Sequence, residues 1–315
     1  MTASAQPLDP ARYTTLRRLV QDDQHRLVVS FGGGSMPGIC GNTAFAQILE
    51  ELGLRPSVEE VWGTSAGAVV GGGWATGSDA IRILELTREL GRRGAVDVGL
   101  VKLVLSVMAS RWPIRRPMPD GVVRGKNFWR TIEAGLAVDT FEQCPTPFRC
   151  IAVADDGSMR RKVFRRGPLL PAIFASMSIP GVIVPRPLPD GESYYDGGLV
   201  EKTPLLSPIA EHARSGDRRK LLLLCTHFAG ESPGPAKGFH NRFLTTLDAL
   251  ENLAWDYQLK EARAREDTQL LLLNPRIQTS GLFDFTKTDE VYLAAREAFA
   301  AQLQDAKITQ TFGMQ

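Results

Sequence analysis

Short apolar runs along the chain alternate with longer stretches in which apolar residues recur every three or four positions. The runs predict buried strands over residues 26–31, 58–62, 147–154, 221–225 and 269–273. The longer stretches predict helices over residues 42–53, 79–90, 125–136, 168–177, 243–257 and 288–303. Strands that alternate with helices build parallel βαβ units, so the pattern predicts an α/β protein.

Neither an internal repeat nor a long linker interrupts this pattern. We therefore expect a single domain over residues 26–310, preceded by a polar lead-in of residues 1–25 with a short helix around residues 11–20. A lid-like or membrane-facing insertion is predicted around residues 79–125. Within it, residues 98–116 begin apolar and end with a tryptophan and three arginines, which suits a bilayer surface. A buried helix followed by a solvated loop is the alternative interpretation of the same segment.

Composition narrows the class of protein. The 315-residue chain has 43% hydrophobic residues, 23% charged residues and a net charge of +2, which is typical of a globular protein and speaks against nucleic-acid binding. Because an apolar signal core and a spanning segment are both missing, we expect a cytoplasmic protein, at most peripheral at a membrane. Four cysteines without C-x-x-C spacing and four scattered histidines predict reduced thiols, no metal site and no cofactor.

The candidate chemistry begins at a G-x-S-x-G pentapeptide, which follows the second predicted strand and precedes a run of small residues. A tight strand-to-helix turn needs little side chain on either side of the central Ser65, and Gly63 and Gly67 meet that need. The Ser65 hydroxyl is then exposed near a helix N-terminus, as a nucleophile requires. A glycine-rich turn in which Ser65 only caps a helix is the alternative.

Three consecutive glycines, Gly32, Gly33 and Gly34, follow the first predicted strand. They expose backbone N–H groups at the carboxyl edge of the sheet, where α/β proteins bind ligands and where Ser65 is also expected. The loop has neither the Gly-Lys-Ser/Thr ending of a phosphate-binding loop nor the G-x-G-x-x-G spacing. It suits an oxyanion hole, which needs N–H donors near a nucleophile.

An acidic residue, Asp196, stands immediately before Gly197 and Gly198. The two glycines leave its carboxylate uncrowded on a tight turn, so Asp196 is a candidate catalytic base. An Asp-Gly β-turn without a chemical role is the alternative.

Taken in order, these segments resemble the patatin-like phospholipase family. The resemblance rests on the glycines at 32–34, the pentapeptide at 63–67, the A-S-M-S-I-P-G segment at 175–181 and the D-G-G segment at 196–198. It covers roughly residues 26–205, and the combination is far more specific than any one part. The resemblance implies a three-layer α/β/α sandwich with a mainly parallel central sheet.

The resemblance also implies a serine lipid acyl hydrolase that cleaves esters of phospholipids or lysophospholipids. Ser65 is the implied nucleophile, and Asp196 is the implied base that takes its proton and later activates water. Backbone N–H groups of Gly32, Gly33 and Gly34 form the implied oxyanion hole.

The sequence departs from the family just after the glycine loop. The family continues with a small residue, then Arg or Lys, then Gly, whereas residues 35–38 are Ser-Met-Pro-Gly. Counted back from residues 49–53, the loop is about two residues longer than usual. The expected cation is missing, and Pro37 has no N–H to donate.

Two other functions remain open. An ordinary α/β-hydrolase would use Ser65, Asp196 and a histidine, for which His227 is best placed because it follows a predicted strand. A lipid-binding or interaction module on a degraded hydrolase scaffold would explain the altered loop.

Overall fold

The computed structural model of the protein describes residues 7–95, 121–229, 239–277, 283–305 and 307–308. The described strands are β1 (His25–Phe31), β2 (Glu60–Thr64), β3 (Gly121–Val123), β4 (Phe148–Ala154), β5 (Arg161–Phe164), β6 (Gly181–Ile183), β7 (Tyr194–Asp196), β8 (Lys220–Thr226) and β9 (Thr268–Leu273). The described α-helices are α1 (Thr14–Gln21), α2 (Ser35–Glu51), α3 (Ala66–Ala75), α4 (Ala80–Arg93), α5 (Lys126–Gly135), α6 (Leu169–Ser176), α7 (Gly198–Glu201), α8 (Leu206–Ser215), α9 (Phe239–Arg263) and α10 (Thr288–Gln302). Short 3₁₀ helices lie at Pro10–Tyr13, Arg55–Ser57, Phe141–Gln143 and Phe285–Lys287.

Seven of the described strands form one mixed, mainly parallel sheet. Its order is β5-β4-β2-β1-β8-β9, and β7 also pairs with β4. The five adjacent strands β4, β2, β1, β8 and β9 are parallel to one another, whereas β5 and β7 run antiparallel to β4. A separate parallel pair is formed by β3 and β6. All five apolar runs that predict strands lie in the large sheet, so the predicted α/β class with a mainly parallel sheet is confirmed.

Helices cover both faces of this sheet. Because successive side chains of a strand point to opposite faces, Val29 and Phe31 of β1 are buried in a larger core with α2, α3 and α10, whereas Val28 is buried in a smaller core with α8 and α9. The three layers expected from the family resemblance are therefore present. All four cysteines are free thiols, and three of them are buried.

The predicted lead-in contains a helix, α1, whose Leu16, Leu19 and Val20 are buried in the larger core. Of the predicted insertion, the described parts are α4 and β3, while the 98–116 segment with its expected membrane contact lies outside the described residues. Across the ranges that the structure describes, no helix has both the length and the apolar character needed to cross a membrane. The predicted domain limits stay a prediction.

The helix predicted over residues 42–53 begins seven residues earlier than expected, at Ser35. Pro37 thus lies in the first turn of α2, where a backbone N–H has no intrahelical acceptor and its loss costs little. The glycine loop consequently ends at Gly34, and its length relative to the family's usual loop stays a prediction.

The long helix α9 is present, but its apolar residues do not all face the protein. Leu250 and Tyr257, two of the apolar residues whose spacing predicts the helix, are 58% and 64% exposed. Trp255, Gln258 and Ala262 are buried. The apolar periodicity fails here because the side of α9 that contacts the protein is partly polar.

Candidate active site

Ser65 lies at the sharp turn between β2 and α3. Its backbone has φ +54° and ψ −120°, a conformation that L-residues rarely adopt and that costs on the order of 1–3 kcal/mol. The Ser176 hydroxyl holds the turn, because its oxygen accepts the Ser65 N–H at 3.0 Å while it donates to the Ile151 carbonyl at 2.6 Å. Ser65 is thereby fixed at the end of β2, as expected of a nucleophile elbow.

The predicted glycines of the elbow are required by close backbone approach. A side chain on Gly63 would overlap the Gly67 carbonyl, and one on Gly67 would overlap the Phe31 carbonyl. At the second motif, a side chain on Gly197 would overlap the Ile151 carbonyl. These positions therefore pack β1, β2, β4 and the two motifs together around the site.

The strand register brings Asp196 to Ser65. Both β2 and β7 pair with β4 on the same side, and they meet end to end, since Thr64 lies opposite Ile151 and Asp196 lies opposite Ala152. Ser65 follows Thr64 directly, and its side chain is close enough to lower the pKa of the Asp196 carboxyl. The two residues that the sequence singles out as nucleophile and base are therefore neighbours.

Asp196 is buried, with 5% of its surface exposed. The pKa of Asp196 is raised to about 7, mainly by burial and also by the nearby Glu251 carboxylate, although the Ser65 side chain, the Gly198 N–H and the charge of Lys202 each lower it. The Gly198 N–H donates to Asp196 Oδ1 at 2.7 Å. A carboxyl that changes protonation near neutral pH is suited to general-base work.

The glycine loop donates fewer N–H groups to the site than the sequence predicts. The Gly32 N–H donates to Thr226 Oγ1 at 3.0 Å, and the Gly33 N–H donates to the Lys202 carbonyl at 2.7 Å. For the Gly34 N–H, by contrast, no acceptor is found in the described part of the chain. The prediction that all three glycines are oxyanion donors is therefore revised, because two of the three N–H groups hold the loop in place.

A closed ring of hydrogen bonds anchors the start of this loop. Asn42 Nδ2 donates to the Gly32 carbonyl at 2.8 Å, Gly32 donates to Thr226, and the Thr226 hydroxyl donates to Asn42 Oδ1 at 2.5 Å. Asn42 and Thr226 are fully buried. The ring joins β1, α2 and β8 beneath the loop and fixes the direction in which α2 begins.

The loop leads directly into the N-terminus of α2 beside the nucleophile. Gly34 has φ +150°, and a side chain there would collide with Phe228. The next residues, Ser35 and Met36, share a small cavity with Ser65. Their N–H groups belong to the first helical turn, which has no intrahelical acceptors and carries the positive end of the helix dipole.

The cavity beside Ser65 is narrow and apolar. Its volume is about 20 Å³, roughly the space that one water molecule needs. The lining residues other than Ser65 are Ser35, Met36, Ile39, Ala66, Val69, Phe128, Met177, Ile179, Ile183, Phe283 and Phe285. A hydrocarbon chain matches this lining in polarity, but it fits only if flexible side chains such as the two methionines move aside.

The contacts described for His227 are with residues other than Ser65 and Asp196. Its Nδ1 is 3.0 Å from Thr203 Oγ1, and its ring is stacked on Trp255 with 3.7 Å between the ring centroids. Burial and, to a lesser extent, the charge of Lys202 lower the pKa of His227 to about 3. These contacts give no support to the predicted alternative of a Ser-Asp-His triad. Within the described ranges, no cluster of three or more acidic, histidine or cysteine side chains could hold a metal ion.

A sequence model of patatin-like phospholipases matches residues 29–209, more than half of the chain. The protein belongs to the patatin-like phospholipase family. The match includes the glycine loop, the serine elbow and the D-G-G segment, so the resemblance predicted from those motifs is confirmed.

Relatives of this patatin-like protein occur in bacteria and eukaryotes. An uncharacterized NTE family protein of Mycobacterium tuberculosis is 30% identical over 213 residues, which cover 67% of this chain and 51% of the relative. The lysophospholipase NTE1 of Mycosarcoma maydis is 29% identical over 218 residues, 68% of this chain and 10% of the relative. Among solved structures, VipD from Legionella pneumophila has a TM-score of 0.44 and 14% identity, covering 89% of this chain and 66% of that one. The chain thus spans about half the length of the mycobacterial relative.

Several residues of the patatin-like site are missed by the sequence analysis. Ser176 lies inside the segment at 175–181 that supports the resemblance, but nothing in that pattern shows that its hydroxyl clamps Ser65. Asn42 is a single amide on an apolar helix face. Lys202 and Glu251 are far apart in sequence, and only the packing of α9 reveals their contact.

Proposed function

We propose that this protein is a serine lipid acyl hydrolase that cleaves carboxylic esters of phospholipids or lysophospholipids. The observation that carries the proposal is the strand register, which places Ser65, held at a strained elbow, beside the buried carboxylate of Asp196. A nucleophile beside a base whose pKa is near neutral is suited to acyl transfer.

In the proposed first step, Ser65 Oγ attacks the ester carbonyl carbon while its proton passes to Asp196. The tetrahedral intermediate then collapses, the bond to the alcohol oxygen breaks, and Asp196 returns the proton to that oxygen. In the second step, Asp196 takes a proton from water, and the hydroxide that forms attacks the acyl-enzyme. The fatty acid leaves, and Ser65 regains its proton.

The oxyanion is proposed to bind at the start of α2. The N–H groups of Gly34, Ser35 and Met36 are the proposed donors, in place of those of Gly32 and Gly33, which are already engaged. The helix dipole favours negative charge at this point. Removal of one such donor typically costs on the order of 2.7–4 kcal/mol of transition-state stabilisation.

The apolar cavity beside Ser65 supports an acyl chain as the group that enters the site. The family and the lysophospholipase among the relatives point to a lipid ester. The predicted contact of residues 98–116 with a membrane fits a substrate held in a bilayer and stays a prediction. Co-sedimentation with anionic vesicles at low salt tests it.

The decisive experiment is hydrolysis of phosphatidylcholine and lysophosphatidylcholine by the purified protein, with released fatty acid measured by mass spectrometry. Ser65→Ala and Asp196→Asn should each reduce the rate to background. The exposed Asp256 on α9 offers a matched control, because Asp256→Asn removes the same charge far from the elbow and should leave the rate unchanged.

Two results would reject parts of the proposal. Background rates for the wild type and all variants would leave a lipid-binding module as the better explanation. A folded His227→Gln variant that loses activity as completely as Ser65→Ala and Asp196→Asn would favour the histidine triad instead.

A further inference from the structure

Helix α9 lies outside the family-matched segment and carries an acidic side against the D-G-G motif. Lys202 is 8% exposed, and its Nζ lies 2.9 Å from Glu251 Oε2 and 3.9 Å from Asp248 Oδ1. Further along α9, Gln258 Nε2 donates to the Val200 carbonyl at 2.6 Å. The helix is thus fixed on α7 and the residues that follow it.

The ion pair formed by Lys202 and Glu251 lies against the catalytic dyad. A Cβ atom on Gly198 would stand 3.1 Å from Asp196 Oδ1 and 3.1 Å from Glu251 Oε1. The two carboxylates therefore approach each other to within about 6 Å, a range in which charges act strongly on each other's protonation. Any side chain at position 198 would press on both carboxylates, which would have to shift by a few tenths of an ångström.

The backbone of Lys202 also reaches the other side of the site. Its carbonyl accepts the Gly33 N–H at 2.7 Å, and Gly33 approaches Ser65 so closely that an added Cβ would lie 3.3 Å from Ser65 Cβ. One residue therefore contacts the glycine loop through its backbone and α9 through its side chain.

Stability alone is a poor explanation for this arrangement. Lys202 is buried and the Glu251 side chain is 18% exposed, so the pair is largely withdrawn from water. Such an ion pair is often no more stabilising than a well-packed apolar pair. The pair is nevertheless placed where its two charges face the catalytic carboxylate with opposite signs.

We propose that Lys202 and Glu251 are positioning residues for the dyad, which balance the charge around Asp196 and hold the D-G-G turn in register with the glycine loop. The inference rests on the proposed function. It also gives the C-terminal third of the chain a role in catalysis, because Glu251 comes from α9.

The groups that face Asp196 make the expected signs clear. Glu251 from α9 favours the protonated carboxyl, and Lys202 favours the carboxylate. The Gly198 N–H donates a hydrogen bond to Asp196, and the Ser65 side chain lies beside it; both groups are uncharged. In the contacts described for β4 and α6, the neighbours of Asp196 are uncharged backbone and serine groups.

The test is the pH dependence of kcat/KM for Glu251→Gln and Lys202→Met in the full-length chain. Glu251→Gln should move the acidic limb to lower pH by about one unit, and Lys202→Met should move it to higher pH by about one unit. The exposed Glu261 and Lys260 on the same helix provide matched controls, since Glu261→Gln and Lys260→Met should leave the limb in place.

A merely structural pair would lower activity in both variants without opposite shifts of the limb, and that result would overturn the inference. If Lys202→Met does not fold, the inference depends on Glu251→Gln, whose acidic limb must move to lower pH. Lys202→Arg keeps the positive charge and should have its acidic limb at the wild-type pH. NMR titration of the Asp196 carboxyl carbon in folded Glu251→Gln measures the same shift without turnover. Suppose that the wild type hydrolyses lipid, that Ser65→Ala does not, and that the acidic limbs of Glu251→Gln and Lys202→Met do not shift in opposite directions. This inference is then rejected, and the proposed function stands.

Discussion

Asp196→Asn should make the protein inactive and, at alkaline pH, more stable. In the folded protein, the surroundings of Asp196, burial above all, raise its pKa to about 7 from the ordinary value of 3.8. Between these two pH values the folded state holds a proton that the unfolded chain has released. Stability from this group is therefore fully present below about pH 4 and is lost as the pH rises towards 7. The neutral amide of asparagine removes this loss.

The size of the effect follows from the two pKa values. A difference of about 3 pH units, at about 1.4 kcal/mol per unit, amounts to about 4 kcal/mol of lost stability at pH 8. At pH 5, which is only about one unit above the pKa of the unfolded chain, the lost stability is about 1.4 kcal/mol. The variant should therefore gain about 3 kcal/mol more over wild type at pH 8 than at pH 5. Because Asp196 is buried, solvent screening does not reduce this figure appreciably.

Equilibrium unfolding in urea at pH 5 and pH 8 measures the effect, with the same proteins assayed for ester hydrolysis. All other titrating groups are common to both proteins and cancel in the double difference. Asp256→Asn, at an exposed position on α9, should give a double difference below about 0.5 kcal/mol. If Asp196→Asn gains no more over wild type at pH 8 than at pH 5, the carboxyl is ionised in the folded state and the reasoning is refuted.

Further predictions concern the elbow, the loop and pH. Ser176→Ala should leave the buried Ser65 N–H without an acceptor, which costs about 1–3 kcal/mol of stability in thermal or urea unfolding and lowers kcat at least tenfold. Gly34→Ala should lower kcat by a factor of roughly 100 with little change in KM, because its φ of +150° does not suit an L-residue and the proposed donor moves. His227→Gln should keep kcat/KM within about threefold of wild type, and a larger loss in a folded variant would restore the triad. Wild-type kcat/KM should rise with pH to half its maximum near pH 7, as Asp196 loses its proton.

The fold could be predicted from the sequence because its strands are continuous apolar runs. The parallel strands β1, β2 and β8 are buried on both faces, so each reads as an unbroken stretch that no amphipathic helix would give. The ends of helices and the faces that they bury are harder to predict from the sequence than the strands. Pro37 hides the start of α2, since proline is usually a boundary and is harmless only in a first turn.

That Ser65 and Asp196 lie together could be predicted, because both stand beside glycines that close backbone packing requires. The hydrogen bonds of the glycine loop could not be predicted to the same depth. Three bare glycines look equivalent in sequence, but Gly32 and Gly33 use their N–H groups to hold the loop, through acceptors on Thr226 and Lys202. Which N–H group is left for an oxyanion depends on contacts that only the folded chain defines.

The surroundings of the base are the part of the site that sequence patterns describe least. Glu251 lies on a helix whose apolar positions, Leu250 among them, mislead because they face solvent. A side chain that acts by its charge on Asp196 needs no motif of its own, only a helix held against the D-G-G turn at the correct rotation. In this protein Lys202 supplies that link, since its Nζ pairs with Glu251 and its backbone carbonyl holds Gly33. Opposite shifts of the acidic limb on loss of the two charges would show that the region beyond the family match tunes the catalytic base.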